Sequence, residues 1–344
     1  MAGEQPKIGV LGAGAIGCYV GGSLAVAGDV VLVGRKRIQD QVAEVGLTLI
    51  DLDGRKTHIE KDQVVVATDP AALADRDVVL CCVKSGQTEE AAEQLDAALA
   101  PGSVVVSLQN GMNNATELRA RLKDKIVLGG IVGFNVVSHG PATFRHATNG
   151  PLVIEASTDA RVVSLSVSLS GALSKAGFDV ELASDIRAHQ WSKLVMNLNN
   201  ALSALSDVPT PTLLFDAGYR AIVRAIVVEA LSVLRAAGVR TARLGPLPVG
   251  WFPFVLALPT ALLRLALRAQ LEIDPDARSS MWEDLVRKRP TEVDYLNGEI
   301  VRLAASCGAS APLNQRIVEV VHEAERRAQG SPKLSAEELW RRLS

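Results

Sequence analysis

The run Lys7-Ile8-Gly9-Val10-Leu11 passes directly into Gly12-Ala13-Gly14-Ala15-Ile16-Gly17, and a stretch of small residues follows to about Ala27. The apolar run reads as a buried strand and the stretch after the glycines as a helix. Three glycines at this spacing constrain the chain to a strand, a tight turn and a helix that begins almost at once. Gly12 permits the turn. Gly14 lets a pyrophosphate approach the backbone, and Gly17 lets the helix pack closely on the strand. Ala15 and Ile16 lie in the first turn of that helix, whose N-terminus faces the anion. The segment therefore reads as the phosphate-binding turn of a dinucleotide-binding domain. A glycine turn of a doubly wound fold that binds nothing is the alternative.

Further apolar runs recur at Val30-Val33, Val64-Ala67, Val78-Val83, Val104-Leu108 and Ile126-Val132. Several are continuous rather than alternating, as strands buried on both faces require. Helical stretches such as Glu89-Leu99 and Ala115-Leu122 lie between them. The rhythm predicts an α/β fold with a Rossmann-type doubly wound parallel sheet. Ala142-His146 and Leu152-Glu155 are expected to form a late hairpin. From Ser184-Asp185 onward the pattern turns helical, giving an all-helical C-terminal domain. Helices are expected over Ile186-Leu205, Ala217-Ala237, Ala277-Arg287, Glu292-Cys307 and Gln315-Gln329. Thr291 and Asp294 fit the ends of a capping box. The predicted organisation is a dinucleotide-binding domain over 1–183, a helical substrate and catalytic domain over 184–330, and a tail over 331–344 with a short helix capped by Ser335.

The 344 residues suffice for about two domains, and a composition of 48% hydrophobic and 22% charged residues is that of a globular protein. A net charge of −2 argues against nucleic acid as a main partner. Cys18, Cys81, Cys82 and Cys307 have neither metal nor disulfide spacing and read as reduced core thiols. The start Met-Ala-Gly-Glu-Gln-Pro has no signal-peptide pattern, so a cytoplasmic location is expected. Leu244 to Leu263 is uncharged over the length of a membrane span. Its four prolines make it a poor continuous helix. It reads as a broken apolar flap over a cleft or as a subunit contact, and not as a span.

The strand Val30-Val33 ends in Gly34-Arg35-Lys36-Arg37, where an NAD-selective site commonly carries an acid. Three adjacent cations suit a 2′-phosphate, and Arg35 is best placed to meet it. The cofactor expected is NADPH/NADP+, with a solvated basic turn as the bland reading. Lys84 and Asn110 follow the strands Val78-Val83 and Val104-Leu108. Both stand at carboxyl ends, where open α/β sheets bind ligands. Asn110-Gly111 is also an ordinary turn dipeptide.

On the helix expected over Ile186-Leu205, Lys193, Asn197 and Asn200 fall at i, i+4 and i+7, on one face. An ammonium on so apolar a helix needs an anionic or polar partner. A substrate carboxylate or carbonyl would supply it, and so would an acid of another helix. Downstream, Ser280 is either a hydrogen-bond donor to a substrate or a helix-start serine. Glu292 is either a helix-terminus acid or an acid aimed at Lys193 or the cofactor.

Together these segments resemble the ketopantoate reductase (2-dehydropantoate 2-reductase) family over nearly the whole chain. The residues that carry the resemblance are the glycine turn, Val83-Lys84, Gln109-Asn110-Gly111-Met112, Trp191-Ser-Lys-Leu with Asn197, and Ser279-Ser-Met with Thr291-Glu-Val-Asp-Tyr-Leu-Asn-Gly298. The resemblance implies reduction of ketopantoate to pantoate with NADPH, on the route to pantothenate, with Lys193 as general acid. It implies substrate contacts at Asn110, Asn197 and Ser280, with Asn200 as a further candidate. It also implies cofactor contacts at Arg35, Lys84, Asn110 and Glu292, and at the backbone of Asn135. The cleft is expected between the two domains. The expected partners are a small 2-oxo acid and, in a homodimer, a second copy of the chain. No metal is expected. The family often has a second asparagine where this chain has Ala201, and a further one at Thr210. A reductase of another 2-oxo acid and a non-catalytic NADP(H)-binding sensor stay open as alternatives.

Overall fold

A computed structural model describes residues 6–244, 247–267 and 278–344, with side chains only to Leu265 in the second stretch. The start Met1-Gln5, Gly245, Pro246, Arg268 and Ala277 lie outside the described residues. The chain forms two compact units, Met1–Ile186 and Arg187–Ser344.

The first unit holds twelve strands: β1 Ile8–Leu11, β2 Val30–Val33, β3 Leu47–Ile50, β4 Lys56–Ile59, β5 Val65–Ala67, β6 Val78–Cys81, β7 Val104–Ser107, β8 Ile126–Val132, β9 Val136–Gly140, β10 Thr143–His146, β11 Leu152–Glu155 and β12 Val180–Ala183. Eight form one sheet in the order β12-β11-β8-β7-β6-β1-β2-β5. Its helices are α1 Ala15–Ala25, α2 Lys36–Val45, α3 Thr88–Ala98, α4 Asn114–Arg121 and α5 Ala160–Lys175. Pairing is parallel from β8 through to β5. The continuous apolar runs explain this. Along β6, Val78 and Leu80 enter one core and Val79 and Cys81 the other, so both faces are covered. The strand order reverses at β1, between β2 on one side and β6 on the other. Such a reversal opens a crevice at the carboxyl ends. The glycine turn after β1 and Lys84 after β6 both stand there.

The expected late hairpin is corrected. Thr143–His146 pairs antiparallel with β9 and parallel with β3, in a separate four-stranded sheet of order β4-β3-β10-β9. Leu152–Glu155 instead lies antiparallel to β8 in the large sheet. Residues 133–151 thus leave the large sheet, build a hairpin and return through a narrow neck. Gly133 N–H donates to the Pro151 carbonyl at 2.7 Å. A Cβ at Gly150 would stand 2.1 Å from the Gly133 carbonyl oxygen, so the two passing backbones leave no room for a side chain.

The second unit is helical: the body of α6 Ile186–Asn197, then α7 Asn200–Ser206, α8 Thr210–Phe215, α9 Ala217–Ala236, α10 Phe252–Leu256, α11 Thr260–Leu267, α12 Ser280–Val286, α13 Asn297–Ser306, α14 Pro312–Arg327 and α15 Ala336–Leu343. Three expected helices are corrected. Ile186-Leu205 is two helices, broken at Leu198-Asn199, where three of four consecutive residues are asparagine. Asparagine is a weak helix former, and Asn199 precedes α7 without a side-chain cap. Glu292-Cys307 opens as a 3₁₀ turn over Val293–Tyr295, and α13 starts only at Asn297. Glu292 therefore precedes the helix. The Thr291 hydroxyl accepts from Val293 N–H at 3.2 Å, while Asp294 pairs with His322 at 2.9 Å, so the capping box does not form. Within Ala277-Arg287 the helix begins at Ser280.

Ser335 caps α15 with a full capping box, and Leu339 and Leu343 bury that helix in the second unit. The proline-rich segment forms a turn over Val249–Trp251 and the short helices α10 and α11. It is held from α9 by Arg224 Nε to the Pro253 carbonyl and by Arg220 Nη1 to the Thr260 hydroxyl. Among the described residues no helix is long and apolar enough to cross a membrane.

Leu80 is fully buried in the central strand β6. Leu80→Ala should destabilise the first unit by about 2–5 kcal/mol. Val163→Ala, on the exposed face of α5, should stay within about 0.5 kcal/mol. Urea denaturation followed by circular dichroism measures both.

Candidate active site

In the first unit the glycines divide the work as steric analysis requires. Gly12 has φ +100°, and a Cβ there would lie 2.7 Å from Val83 N. Gly17 admits α1 so closely that a Cβ would stand 2.2 Å from the Gly12 carbonyl oxygen. Gly14 is different. It is exposed, and a Cβ there would meet nothing within 4 Å. No packing demand explains glycine at 14, and the backbone there is left open to solvent. Ala15 and Ile16, half-exposed beside it, carry first-turn N–H groups that α-helix geometry leaves without intrahelical acceptors.

Arg35 sits at the end of β2 as the residue preceding α2. Lys36 pairs with Asp40, and Arg37 Nη1 donates to Gln41 Oε1 at 3.1 Å. Among the described residues Arg35 is the one cation of this trio with no side-chain partner, and it is exposed.

The loops after β6 and β7 are joined by a polar network. Ser85 Oγ donates to the Asn110 carbonyl at 2.8 Å, and Asn114 Nδ2 donates to the same oxygen. Gln109 Nε2 donates to Thr88 Oγ1 at 2.9 Å, and Thr88 Oγ1 donates to Asn114 Oδ1 at 2.9 Å. These bonds fix the backbone that carries Lys84 and Asn110. Sequence reading missed Ser85, Thr88 and Asn114. The signal was the density of small polar residues directly after two apolar strands.

Asn135 is exposed at the neck. Its N–H donates to Thr148 Oγ1 at 2.9 Å and its carbonyl accepts from Ala147 N–H at 2.8 Å. The fold thus occupies this amide donor, and the side chain remains outward.

In the second unit, Lys193 and Asn197 stand one turn apart on α6 and share a face. Asn200 begins a new helix, so it does not continue their stripe. It is tied instead to the segment carrying Ser280. Ser279 Oγ donates to the Asn200 carbonyl at 2.8 Å, and Ser279 N–H donates to Ser203 Oγ at 3.3 Å. Ser279, rather than Ser280, is the helix cap, accepting from Trp282 N–H at 3.2 Å. Ser280 is left exposed at the first helical position. The side chain of Ala201 is wholly buried in the core.

Desolvation pushes the Lys193 ammonium down to about 8, and the negative charge of the buried Glu292 works against that fall. A lysine so placed gives up its proton far more readily than an ordinary one. By contrast, burial pushes the Cys18 and Cys81 thiols up to about 12, so both are protonated at neutral pH.

Two family models match this chain. Ketopantoate reductase PanE/ApbA covers residues 8–159, and the C-terminal ketopantoate reductase PanE/ApbA model covers residues 185–325. The chain belongs to the ketopantoate reductase family. It is accordingly an oxidoreductase of the class acting on CH–OH, in a family that uses nicotinamide cofactors. A Halobacterium salinarum protein named 2-dehydropantoate 2-reductase is 31% identical over 328 residues, 93% of this chain and 99% of its own length. One from Archaeoglobus fulgidus is 29% identical over 323 residues, 93% of this chain and 98% of its own. The crystal structure of a PanE/ApbA family ketopantoate reductase from Ralstonia eutropha JMP134 superposes with a TM-score of 0.77 at 33% identity, covering 94% of this chain and 99% of that one. D-mandelate dehydrogenase shares the fold, with a TM-score of 0.75 at 21% identity, over 93% of this chain and 99% of its own.

The glycine geometry separates two roles. Gly17→Ala should cost about 2 kcal/mol or more, because its Cβ meets fixed backbone. Gly14→Ala should leave stability within about 1 kcal/mol. Thermal melts of the two variants beside the parent chain provide the check.

Proposed function

We propose that the chain reduces 2-dehydropantoate to pantoate with NADPH, Lys193 acting as the general acid, in pantothenate biosynthesis. The observation that carries this reading is Lys193 itself, desolvated to about 8 beside the buried Glu292. The names of the relatives support the substrate.

NADPH, when bound, supplies the hydride. The residues of the first unit fit such a dinucleotide. Gly14 offers unobstructed backbone, the first turn of α1 offers N–H donors to the pyrophosphate, and Arg35 offers an unpaired guanidinium to the 2′-phosphate. Lys84, after β6 at the switch point, and Asn110, after the neighbouring β7, stand on braced loops and take further cofactor or substrate contacts there. We assign residues 1–183 to cofactor binding and 184–330 to substrate and proton chemistry on this basis.

In the second unit Lys193 hydrogen-bonds the ketone oxygen and releases a proton to it as negative charge develops. A fixed cation in a desolvated setting is most effective at that moment. Glu292 keeps the ammonium charged near neutral pH, so that the proton is present when needed. Asn197, one turn away, and Ser280, with Asn200 beside its helix start, hold the carboxylate and hydroxyl of the substrate in line.

A second reading is favoured by Ala201. The amide that the family often carries there is absent, and the position faces the core. Asn200 does not replace it on the α6 face. A different 2-oxo acid is then the preferred substrate. A panel of 2-oxo acids, with NADPH oxidation followed at fixed enzyme, decides. An inactive ketopantoate beside an active analogue rejects the first reading.

Lys193→Ala should lower turnover by about 10²–10⁴-fold while NADPH binding is retained. Near-normal turnover in that variant sinks the acid assignment. For reduction, Lys193 must carry its proton. Since its folded pKa is about 8, kcat/KM should be full below pH 8 and decline as pH rises through that value. Arg35→Ala should weaken NADPH binding by about 10–100-fold with little effect on NADH, read by fluorescence titration of both cofactors.

A further inference from the structure

The geometry points to Glu325, on α14, as a positioning residue that fixes the turn carrying Glu292. The inference rests on the assignment of Lys193 as proton donor only for its kinetic consequence.

Glu292 stands where the chain has least regular support. α12 ends at Val286, Lys288 takes φ +54°, and Arg289-Pro290 follows outside the helix. A 3₁₀ turn covers only Val293–Tyr295 before α13 begins at Asn297. Pro290 has no N–H, so Thr291 carries the first amide donor after the break. That amide is buried and donates to Glu325 Oε1 at 2.7 Å. The acceptor is a carboxylate, which makes the bond charge-assisted and short. Thr291 Oγ1 in turn accepts from Val293 N–H at 3.2 Å, so both residues flanking Glu292 are secured.

The same helix grips the turn at a second point. His322, three residues before Glu325 and on the same face of α14, meets Asp294 Oδ2 through Nε2 at 2.9 Å. Arg302 Nη2 donates to the Asp294 carbonyl at 2.6 Å from α13. Asp294 is therefore held from two helices, whereas on the N-terminal side of Glu292 the Thr291 amide is anchored by Glu325. Removing it leaves a buried N–H without its acceptor, and the turn relaxes toward solvent to satisfy it. Glu292 moves with the turn. Its charge is the one that opposes the desolvation of Lys193, and that influence falls with distance.

The test uses the full chain labelled with ¹³C at lysine Cε. The Lys193 resonance is identified by its loss in Lys193→Ala, and its titration is followed by NMR. The parent should titrate near pH 8. Glu292→Gln should titrate lower, and Glu325→Ala should reproduce at least half of that displacement. Two further variants separate reach from charge. Glu325→Gln keeps an oxygen for the Thr291 N–H and should titrate close to the parent. Glu325→Asp keeps the charge but withdraws it by one methylene, and should behave as Glu325→Ala does. That variant also serves should Glu325→Ala fail to fold, as judged by thermal melting. Unchanged titration in both Glu325→Ala and Glu325→Asp overturns the inference. So does a Gln variant displaced as far as Ala, which would make the effect one of charge alone. The pH at which kcat/KM falls should move with the NMR titration. If the resonance moves and the rate profile does not, the positioning role stands and Lys193 is not the acid.

Discussion

The first unit depends on one contact, the approach of α1 to its own turn. With 2.2 Å between a hypothetical Cβ at Gly17 and the carbonyl oxygen of Gly12, helix and turn are in contact through backbone alone. The closeness sets where α1 begins. It also sets which first-turn N–H groups of α1 are left without intrahelical acceptors. Everything else at that end of the sheet is arranged around this origin. Gly34 repeats the logic across the neighbouring strand, since a Cβ there would stand 2.5 Å from that of Ala13. Arg35 is thereby brought in directly after a second close approach.

The second unit is organised by the opposite problem, a charge that must be kept rather than a backbone that must be bared. Lys193 lies on a helix whose neighbours Trp191, Ser192, Leu194 and Val195 are all buried. Such surroundings disfavour an ammonium, and Glu292 is the counterweight. The balance leaves a proton that is held at neutral pH and is not held tightly. Polar tethers from Ser279 to the Asn200 carbonyl and the Ser203 hydroxyl of α7 bring the Ser280 segment beside Asn200. The unit thus spends its few buried polar groups on locating side chains. Its core, from Ile222 and Val223 to Val320 and Val321, takes in two more, since the wholly buried Asn314 joins Asn297 to the Ile226 carbonyl and to Glu229.

Much of this was legible in the sequence, for identifiable reasons. Strands buried on both faces leave continuous apolar runs, so β2 and β8 could be read to the residue and β1 to within one. Ser335, followed three residues later by Glu338, announced a cap that the structure contains in full. The failures also have physical causes. A hairpin across residues 142–155 was the local reading, because two short strands with a turn between them look alike whether they pair with each other or with distant partners. Here β10 pairs with β3, almost a hundred residues earlier. The break after Asn197 was hidden because helical periodicity counts positions and is blind to the low helix propensity of asparagine. Of the candidate site, the residue types carried the signal. What the sequence could not carry were the supports, Ser85, Thr88, Asn114 and Glu325, since a buried tether has no spacing rule.

The neck at Gly133 and Gly150-Pro151 makes the small sheet a lever. Asn135 lies just beyond the point where the chain leaves the large sheet, and both of its backbone bonds run to residues 147 and 148 on the return path. Its position is therefore dictated by the returning strand and not by β8, which delivers it. Any change that alters the seating of β10 on β3 is passed through Ala147 and Thr148 to the candidate contact at Asn135. Substitutions in Leu47–Ile50, which by chain order look remote, have in this architecture a direct mechanical route to Asn135.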